Sequence, residues 1–269
     1  MKEITREIEE RLARSLTWDS TEILPFLPYL LQDFWELGSN PDLMASLFSN
    51  YVEVSEETRV LDLACGKGAV SVKIAKERQV NVKGIDLIPE FVEYAKEKAC
   101  EHQVENLCEF EIDDINEAVK TEVGFDCTVF GAVGPEVLGG PAETLAKLRA
   151  TVKPGGYLLI EEAYLPAGGS REAVRYLRDV YLTEQEWLTL FKETDLELIE
   201  TAFSGSSDTY DSESEMHALT TRANELIHKH PEKRELFEGY VQSQQNEYDD
   251  IVDSLVCVTW VLQRPKQAQ

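Results

Sequence analysis

VLDLACGKGAV, residues 60–70, decides the fold: a short apolar run ends in a glycine-rich turn, and an amphipathic run follows. Gly66 and Gly68 let the backbone turn tightly and approach a ligand where a Cβ atom would collide. A strand, a glycine turn and a helix in this order are typical of nucleotide-binding α/β proteins. The stretch therefore predicts a parallel sheet with a ligand site at the carboxyl end of its first strand.

Around this stretch, short apolar runs alternate with amphipathic ones such as VSVKIAKER, PEFVEYAKEKACEH and PAETLAKLRATV. Strands alternating with helices indicate a parallel sheet that is covered on both faces. We expect the helix before the fifth strand to end at Lys153-Pro154-Gly155-Gly156, where proline and two glycines would stop it. The predicted strands are 59–64, 82–87, 108–113, 125–131 and 156–163.

Further elements follow the fifth strand. TEQEWLTLFKET predicts a helix that begins with a capping box of Thr183 and Glu186. Strands are predicted at 196–203 and 254–263, and the alternation of the last one favours an antiparallel partner. Between them lies a polar insertion whose start, SGSSDTYDSESE, is typical of a mobile loop. Two helices follow, split at His230-Pro231.

The predicted fold class is α/β, with helices on both faces of a seven-stranded, mostly parallel sheet. The expected strand order is 3-2-1-4-5-7-6, with the last strand antiparallel. An insertion as long as this one commonly forms a lid or a binding loop. The predicted parts are an N-terminal helical cap (1–50), a Rossmann-like cofactor-binding core (51–203), a helical lid or substrate insertion (204–250), and the final strand with a tail (251–269).

Two acidic residues accompany the glycine turn. Asp62 lies inside the first strand, and Asp86 ends the second strand, twenty residues after Gly66. An acid at the latter position binds both hydroxyls of a ribose in such folds. A nicotinamide or flavin dinucleotide is the competing ligand, but the third glycine of that pattern would fall at Ser71. Asp62 suits a ligand with an ammonium group and a sulfonium better than a pyrophosphate.

From about Arg59 to Tyr164 the sequence resembles the class I, Rossmann-like S-adenosylmethionine-dependent methyltransferases, particularly the ubiquinone/menaquinone-biosynthesis C-methyltransferase group. The strongest element is the pattern hydrophobic-Leu-Asp-x-x-Cys-Gly-x-Gly, here VLDLACGKG. FEIDDINEA resembles the family's Gly-Asp-Ala adenine motif, although Asp113 stands where the family usually has glycine. VKPGGYLLIEEA matches a late motif that is mainly structural.

The resemblance implies S-adenosyl-L-methionine as the cofactor. The turn would hold its methionine part, Asp86 its ribose, and Leu87 and Asp114 its adenine, while Gly131 would lie under it. The cofactor-binding residues implied in this way are Asp62, Ala64, Cys65, Gly66, Gly68, Asp86, Leu87, Asp114, Ile115 and Gly131.

The charge of the chain limits its partners. Its 269 residues include 51 acidic and 26 basic ones, which gives a formal net charge of −25. Nucleic acids and anionic membranes attract clustered Lys and Arg, and the sequence has no dense basic run. We therefore expect a small-molecule acceptor that is neutral or cationic, with no nucleic-acid or membrane partner. A homodimer is left open.

The N-terminus and the cysteines predict a cytoplasmic protein. MKEITREIEERLARSL is charged where a signal peptide would be apolar, and no apolar run is long enough to span a membrane. The five cysteines form no CxxC pair and no zinc spacing, so we expect reduced thiols.

Methyl transfer from a sulfonium is an in-line displacement, so alignment and exclusion of water matter more than acid–base groups. We therefore assign no catalytic residue. After the fourth strand, GAVGPEV lacks the Asn/Asp-Pro-Pro-aromatic motif of many amino-methylating enzymes. Glu161 and Glu162 supply acids but FGAVG supplies no partner for them, so no metal is expected.

Acceptor residues are expected at the ends of the fourth and fifth strands, in the N-terminal cap and in the insertion. The candidates are Tyr29, Trp35, Glu162 and Tyr164: aromatic faces can hold a sulfonium or a flat substrate, and the glutamate could orient a cationic amine. Core packing is the competing explanation for the aromatic residues. Two other functions remain open at this point, a non-catalytic module that binds the cofactor and a nucleotide-cofactor oxidoreductase.

Overall fold

Strand β1 lies near the centre of a seven-stranded sheet, which has the order β3-β2-β1-β4-β5-β7-β6. The pairs among β1 to β5 are parallel, whereas β6 and β7 are antiparallel. The predicted fold class and strand order are therefore confirmed. The strands are β1 (Arg59–Leu63), β2 (Asn81–Asp86), β3 (Cys108–Ile112), β4 (Phe125–Gly131), β5 (Val152–Tyr164), β6 (Glu197–Phe203) and β7 (Val256–Gln263).

Helices connect and flank the strands in this computed structural model, which describes residues 5–175, 181–203 and 212–266. Short 3₁₀ turns at Thr21–Phe26, Pro135–Leu138, Arg171–Ala173 and Pro231–Lys233 join some of them. No helix in the described ranges is long and apolar enough to cross a membrane. The α-helices are α1 (Arg6–Ser15), α2 (Leu27–Leu30), α3 (Pro41–Tyr51), α4 (Ala69–Arg78), α5 (Pro89–Glu101), α6 (Ile115–Thr121), α7 (Pro141–Thr151), α8 (Glu184–Glu193), α9 (Ser212–Lys229) and α10 (Arg234–Asp253).

The chain divides into two compact units. The sheet unit comprises Trp35–Glu162, Gln185–Phe203 and Val258–Gln269. The helical unit comprises Met1–Phe34, Ala163–Glu184 and Ser204–Cys257. The predicted N-terminal cap of residues 1–50 is thus shared between them, because α3 belongs to the sheet unit.

The core of the sheet unit follows from the apolar strand sequences. Val60, Val82 and Val129, on three neighbouring strands, are fully or almost fully buried in one cluster. Met44 and Phe48 of α3 are buried in the same cluster. Burying apolar side chains stabilises a fold by about 1.5–3 kcal/mol for each large one, so α3 is an integral part of the sheet unit.

The helical unit is built around aromatic contacts. Phe26 packs edge-on against Phe237 of α10, with 5.0 Å between ring centroids, and Trp18 packs edge-on against Tyr240 at 6.2 Å. The helices α9 and α10 are separated at His230-Pro231 as predicted, since proline cannot continue the hydrogen-bond ladder of a helix.

Two details of the predicted elements are wrong. Helix α7 ends at Thr151, not at residues 153–156, because Val152 already pairs with Phe125 of β4. Gly155 and Gly156 then exchange backbone hydrogen bonds with Arg264, which places them in the sheet. The second error concerns the predicted loop at 204–215: Ser212–Lys229 is helical, and residues 204–211 lie outside the described residues.

Gly68→Ala tests the packing at the start of α4. Gly68 has a φ of +75°, and a Cβ atom there would lie 2.7 Å from the Cβ of Ala95. We expect the free energy of unfolding in urea, followed by circular dichroism, to fall by about 3 kcal/mol. Gly124→Ala is the matched control: its φ is +78° but nothing lies within 4 Å of its added Cβ, so the loss should be about 1 kcal/mol. Equal losses would show that the close approach to α5 has no energetic weight.

Candidate cofactor site

The glycine turn and its two acids lie together at the carboxyl end of β1 and β2. Asp62 is 4% exposed, and its Oδ2 accepts a hydrogen bond of 2.5 Å from the hydroxyl of Ser71 on α4. Ser71 stands where the dinucleotide pattern would have its third glycine, and its hydroxyl has a structural role as the donor to Asp62. A serine at this position fixes the carboxyl of Asp62, which a third glycine could not do.

Asp86 ties the end of β2 to the turn. Its Oδ2 accepts a hydrogen bond from the backbone N–H of Gly66 at 2.8 Å, and its Oδ1 accepts one from Ile88 at 2.9 Å. Leu87, which lies between Asp86 and Ile88 in the sequence, is half-buried. The sequence spacing predicts that Asp86 and Gly66 lie close together, and they do. The two hydrogen bonds of Asp86 also orient the backbone of Gly66 and Ile88.

Burial shapes the titration of both acids. It raises the pKa of Asp62 to about 7, and the nearby negative charge of Asp86 adds to the rise while the hydrogen bond from Ser71 opposes it. Burial also raises the pKa of Asp86, against backbone hydrogen bonds from Ile88 and Gly66. A cation next to such a pair favours the charged carboxylates, so the two acids fit an adenosyl ligand that carries an ammonium and a sulfonium.

The remaining residues assigned to the turn have defined places. Ala64 adopts a left-handed conformation with a φ of +55°. Cys65 is half-buried, donates its N–H to the carbonyl of Ile85 at 3.0 Å and has a pKa raised by burial. All five cysteines of the chain are free thiols in the structure.

The predicted adenine segment forms a helix start. Asp114 is the N-cap of α6, and its Oδ1 accepts a hydrogen bond from the N–H of Asn116 at 2.9 Å. Asp113 accepts one from the N–H of Asp114 at 2.9 Å. Ile115 is buried as the first residue of α6. Asp113 directly follows β3, and its N–H donates to the carbonyl of Asp86 at 3.2 Å, so this segment lies beside the end of β2.

Gly131 and Glu161 face each other at the ends of β4 and β5. They are register partners in the parallel pair, and the N–H of Ala132 donates to the carbonyl of Glu161. The carboxyl of Glu161 is 8% exposed, and burial raises its pKa to about 7. It accepts hydrogen bonds from the N–H of Asn40, at 3.3 Å, and from the hydroxyl of Ser39.

We call the glycine turn of residues 64–68, together with Asp62 and Asp86, the cradle. The segment that precedes α3 covers the cradle, and sequence reasoning did not foresee this. We call residues 35–40 the strap. The indole N–H of Trp35 donates to the carbonyl of Lys67 at 2.9 Å. The Cδ1 atom of Leu37 lies 3.2 Å from where a Cβ would stand on Gly66, and Ser39 occupies the corresponding space beside Gly131. The absence of side chains at these glycines is what allows the strap to approach.

The four acceptor candidates are divided between the units. In the sheet unit, Trp35 also stacks on His102, at 5.1 Å between centroids, and Glu162 is partly exposed on β5. In the helical unit, Tyr29 donates its hydroxyl hydrogen to Glu225 at 2.5 Å, and Tyr164 is buried at the end of β5. Their role in acceptor binding stays a prediction.

A glycine turn after the first strand, an acid at the end of the second and a final antiparallel strand together define a Rossmann-like cofactor-binding domain of the methyltransferase type. The chain belongs to the methyltransferase domain family, whose model matches residues 54–254, about three quarters of the sequence. This membership confirms the predicted class, the S-adenosylmethionine-dependent methyltransferases.

Individual proteins are similar over shorter stretches. The Escherichia coli (strain K12) protein YjhP, which is uncharacterized, is 35% identical over 114 residues, or 41% of this chain and 45% of YjhP. The 27-O-demethylrifamycin SV methyltransferase of Amycolatopsis mediterranei (strain S699) is 28% identical over 120 residues, 44% of each chain. The matched stretches thus span just under half the length of these relatives.

The fold is shared over a larger part of the chain. The crystal structure of an S-adenosylmethionine-dependent methyltransferase from Thiobacillus denitrificans, in complex with S-adenosyl-L-homocysteine, superposes with a TM-score of 0.70 at 21% identity. The superposition covers 88% of this chain and 97% of that one. At this level of identity the likeness shows the common fold.

Asp86→Ala tests the ribose end of the cradle. Hydrogen bonds to a charged group contribute about 1.5–3 kcal/mol, so we expect the Kd for S-adenosyl-L-methionine in titration calorimetry to rise at least about tenfold. Asp126→Ala is the control, because Asp126 bonds the N–H of Arg59 where β1 begins, at the opposite edge of the sheet. An unchanged Kd in Asp86→Ala would refute the assignment of this acid.

Asp62→Asn tests the burial of the acid in β1. Because the pKa of Asp62 is raised from 3.8 to about 7, the folded state holds a proton there that the unfolded state has lost. The stability that this proton linkage contributes is complete below pH 4 and is lost as the pH rises through about 7. Urea unfolding at pH 5 to 8 should therefore be less pH-dependent in Asp62→Asn, by at most about 1.4 kcal/mol per pH unit. Parallel curves for the two proteins would contradict the burial of a titrating Asp62.

Proposed function

We propose that this protein transfers a methyl group from S-adenosyl-L-methionine to a small molecule that is neutral or cationic. The observation that carries the proposal is the cradle: a glycine turn lies between two buried carboxyls, Asp62 and Asp86, at the carboxyl edge of a parallel sheet. The carboxyl of Asp62 suits the ammonium of the methionine part, and the carboxyl of Asp86 suits the ribose hydroxyls.

The charge of the chain supports the acceptor class. A formal net charge of −25 repels polyanions, attracts positively charged molecules and does not oppose the approach of neutral ones. Within the helical unit some acids are neutralised locally: Asp250 is buried against the guanidinium of Arg175, and Glu225 pairs with Arg222. The support for a neutral or cationic acceptor therefore comes from the net charge of the whole chain and not from the charge of α9 and α10 alone.

A small-molecule acceptor also agrees with one of the relatives. The Amycolatopsis protein is named for a rifamycin substrate, which is a small molecule. The transfer is an in-line displacement: the acceptor atom bonds the methyl carbon as the bond from that carbon to sulfur breaks, S-adenosyl-L-homocysteine leaves, and any proton that the acceptor loses passes to water. The residues of the cradle would bind and orient the donor, and the surrounding apolar core would exclude water.

Labelled methyl transfer tests the proposal. The protein is incubated with S-adenosyl-L-methionine labelled in the methyl group and with an extract of the source cell, first divided on an anion-exchange column. We expect label to enter a low-molecular-mass product, identified by mass spectrometry, and the reactive fraction to be the one that the anion exchanger does not retain. Asp86→Ala serves as the control and should give markedly less product at limiting cofactor.

Other outcomes would contradict the proposal in different ways. Label found only in protein or nucleic acid would refute a small-molecule acceptor. Calorimetric binding of the cofactor without transfer in any fraction would indicate a non-catalytic binding module. Tighter binding of a nicotinamide dinucleotide than of S-adenosyl-L-methionine would indicate an oxidoreductase instead.

A further inference from the structure

The strap contacts the cradle at positions that the resemblance assigns to the cofactor. Leu37 fills the space above Gly66, and Ser39 fills the space beside Gly131. Trp35 bonds the carbonyl of Lys67, in the middle of the glycine turn. The strap therefore lies directly against two of the positions that the resemblance assigns to the cofactor.

The strap is held at its C-terminal end by the carboxyl group of Glu161. Glu161 accepts hydrogen bonds from both the hydroxyl of Ser39 and the N–H of Asn40. The backbone of Glu161 is fixed at the same time, because it pairs with Gly131 in the sheet. A carboxyl held on a rigid strand and buried to 8% exposure is suited to hold a flexible segment in place.

Both ends of the strap are held within the sheet unit, and at one end Trp35 bonds Lys67 and stacks on His102. At the other end, the side chain of Asn40 caps α3 by accepting from the N–H of Leu43 at 3.0 Å, and α3 is part of the core. Between that cap and Trp35 the chain has no regular secondary structure, and Gly38 has a φ of +96°. A segment of this kind can lift about the start of α3 once the bonds to Glu161 and Lys67 and the stacking of Trp35 on His102 break.

We propose that the strap is a gate over the cofactor site and that Glu161 is the positioning residue which holds it closed. The inference rests on the proposed function, because it takes the cradle as the place where S-adenosyl-L-methionine and its demethylated product bind. The cofactor enters when the strap lifts, and the product leaves by the same movement. Glu161 thus acts through Ser39 and Asn40, without touching the reacting atoms.

Two variants test this from both sides of the contact. Glu161→Gln keeps the size of the side chain but removes its charge, and Ser39→Ala removes the hydroxyl donor. Hydrogen–deuterium exchange, followed by mass spectrometry, is measured on peptides that cover residues 35–40. Since each variant weakens a hydrogen bond to a charged group, we expect the strap to exchange about tenfold faster in both.

Ligand kinetics supply the second measurement. Binding of S-adenosyl-L-homocysteine is followed by stopped-flow tryptophan fluorescence, for which Trp35 in the strap is a reporter. We expect the association and dissociation rate constants to rise together, each about threefold to tenfold, while the Kd changes less than either rate. A purely structural role of Glu161 would lower affinity or stability without accelerating association.

Glu200→Gln is the matched control. Glu200 lies on β6 of the same unit and accepts a hydrogen bond of 2.5 Å from the hydroxyl of Tyr51, so the substitution removes a comparable contact away from the strap. Its strap exchange and ligand rates should equal those of the unsubstituted protein. Exchange in peptides from α4 and β1 verifies that all variants are folded.

The outcomes separate the two hypotheses. If the unsubstituted protein binds S-adenosyl-L-homocysteine but Glu161→Gln and Ser39→Ala leave the strap exchange and both rate constants unchanged, the gate is refuted and the proposed function stands. If the unsubstituted protein does not bind S-adenosyl-L-homocysteine at all, the proposed function fails and the gate fails with it. Faster exchange together with faster binding and release supports the gate.

Discussion

The candidate site is organised by two carboxyl groups that are buried at one edge of a parallel sheet. Asp62 and Asp86 are held by hydrogen bonds from Ser71 and from the backbone of Gly66 and Ile88, yet burial still raises the pKa of each. Hydrogen bonds within the protein therefore compensate only part of the desolvation. A cation at this point would complete the compensation, which links the electrostatics of the fold directly to a sulfonium cofactor.

The elements around the cradle position these charges. β1 delivers Asp62, β2 ends at Asp86, and the turn between β1 and α4 lies between them. The ends of β4 and β5 add Gly131 and Glu161, and the strap connects this second pair of positions to the first. The strap also links the cradle to α3, so a helix that precedes the sheet in sequence is joined directly to the candidate cofactor site.

Much of this could be predicted from the sequence, because the decisive signals are local. The strand pattern, the turn glycines and the interval from Gly66 to Asp86 are fixed by backbone geometry. The strap could not be predicted, since its contacts join residues far apart in sequence and depend on tertiary packing. In the sequence, Glu161 stands out only as a possible metal ligand. The pairing of its position with Gly131, which brings it to Ser39, is a property of the sheet register and not of the local sequence.

A crystal structure with S-adenosyl-L-homocysteine would test the central claim most directly. The account predicts that the ligand crosses the turn at Gly66, with its ribose hydroxyls bonded to Asp86 and its amino group on the side of Asp62. A ligand bound elsewhere, with both carboxyls retaining only their present partners within the protein, would contradict it.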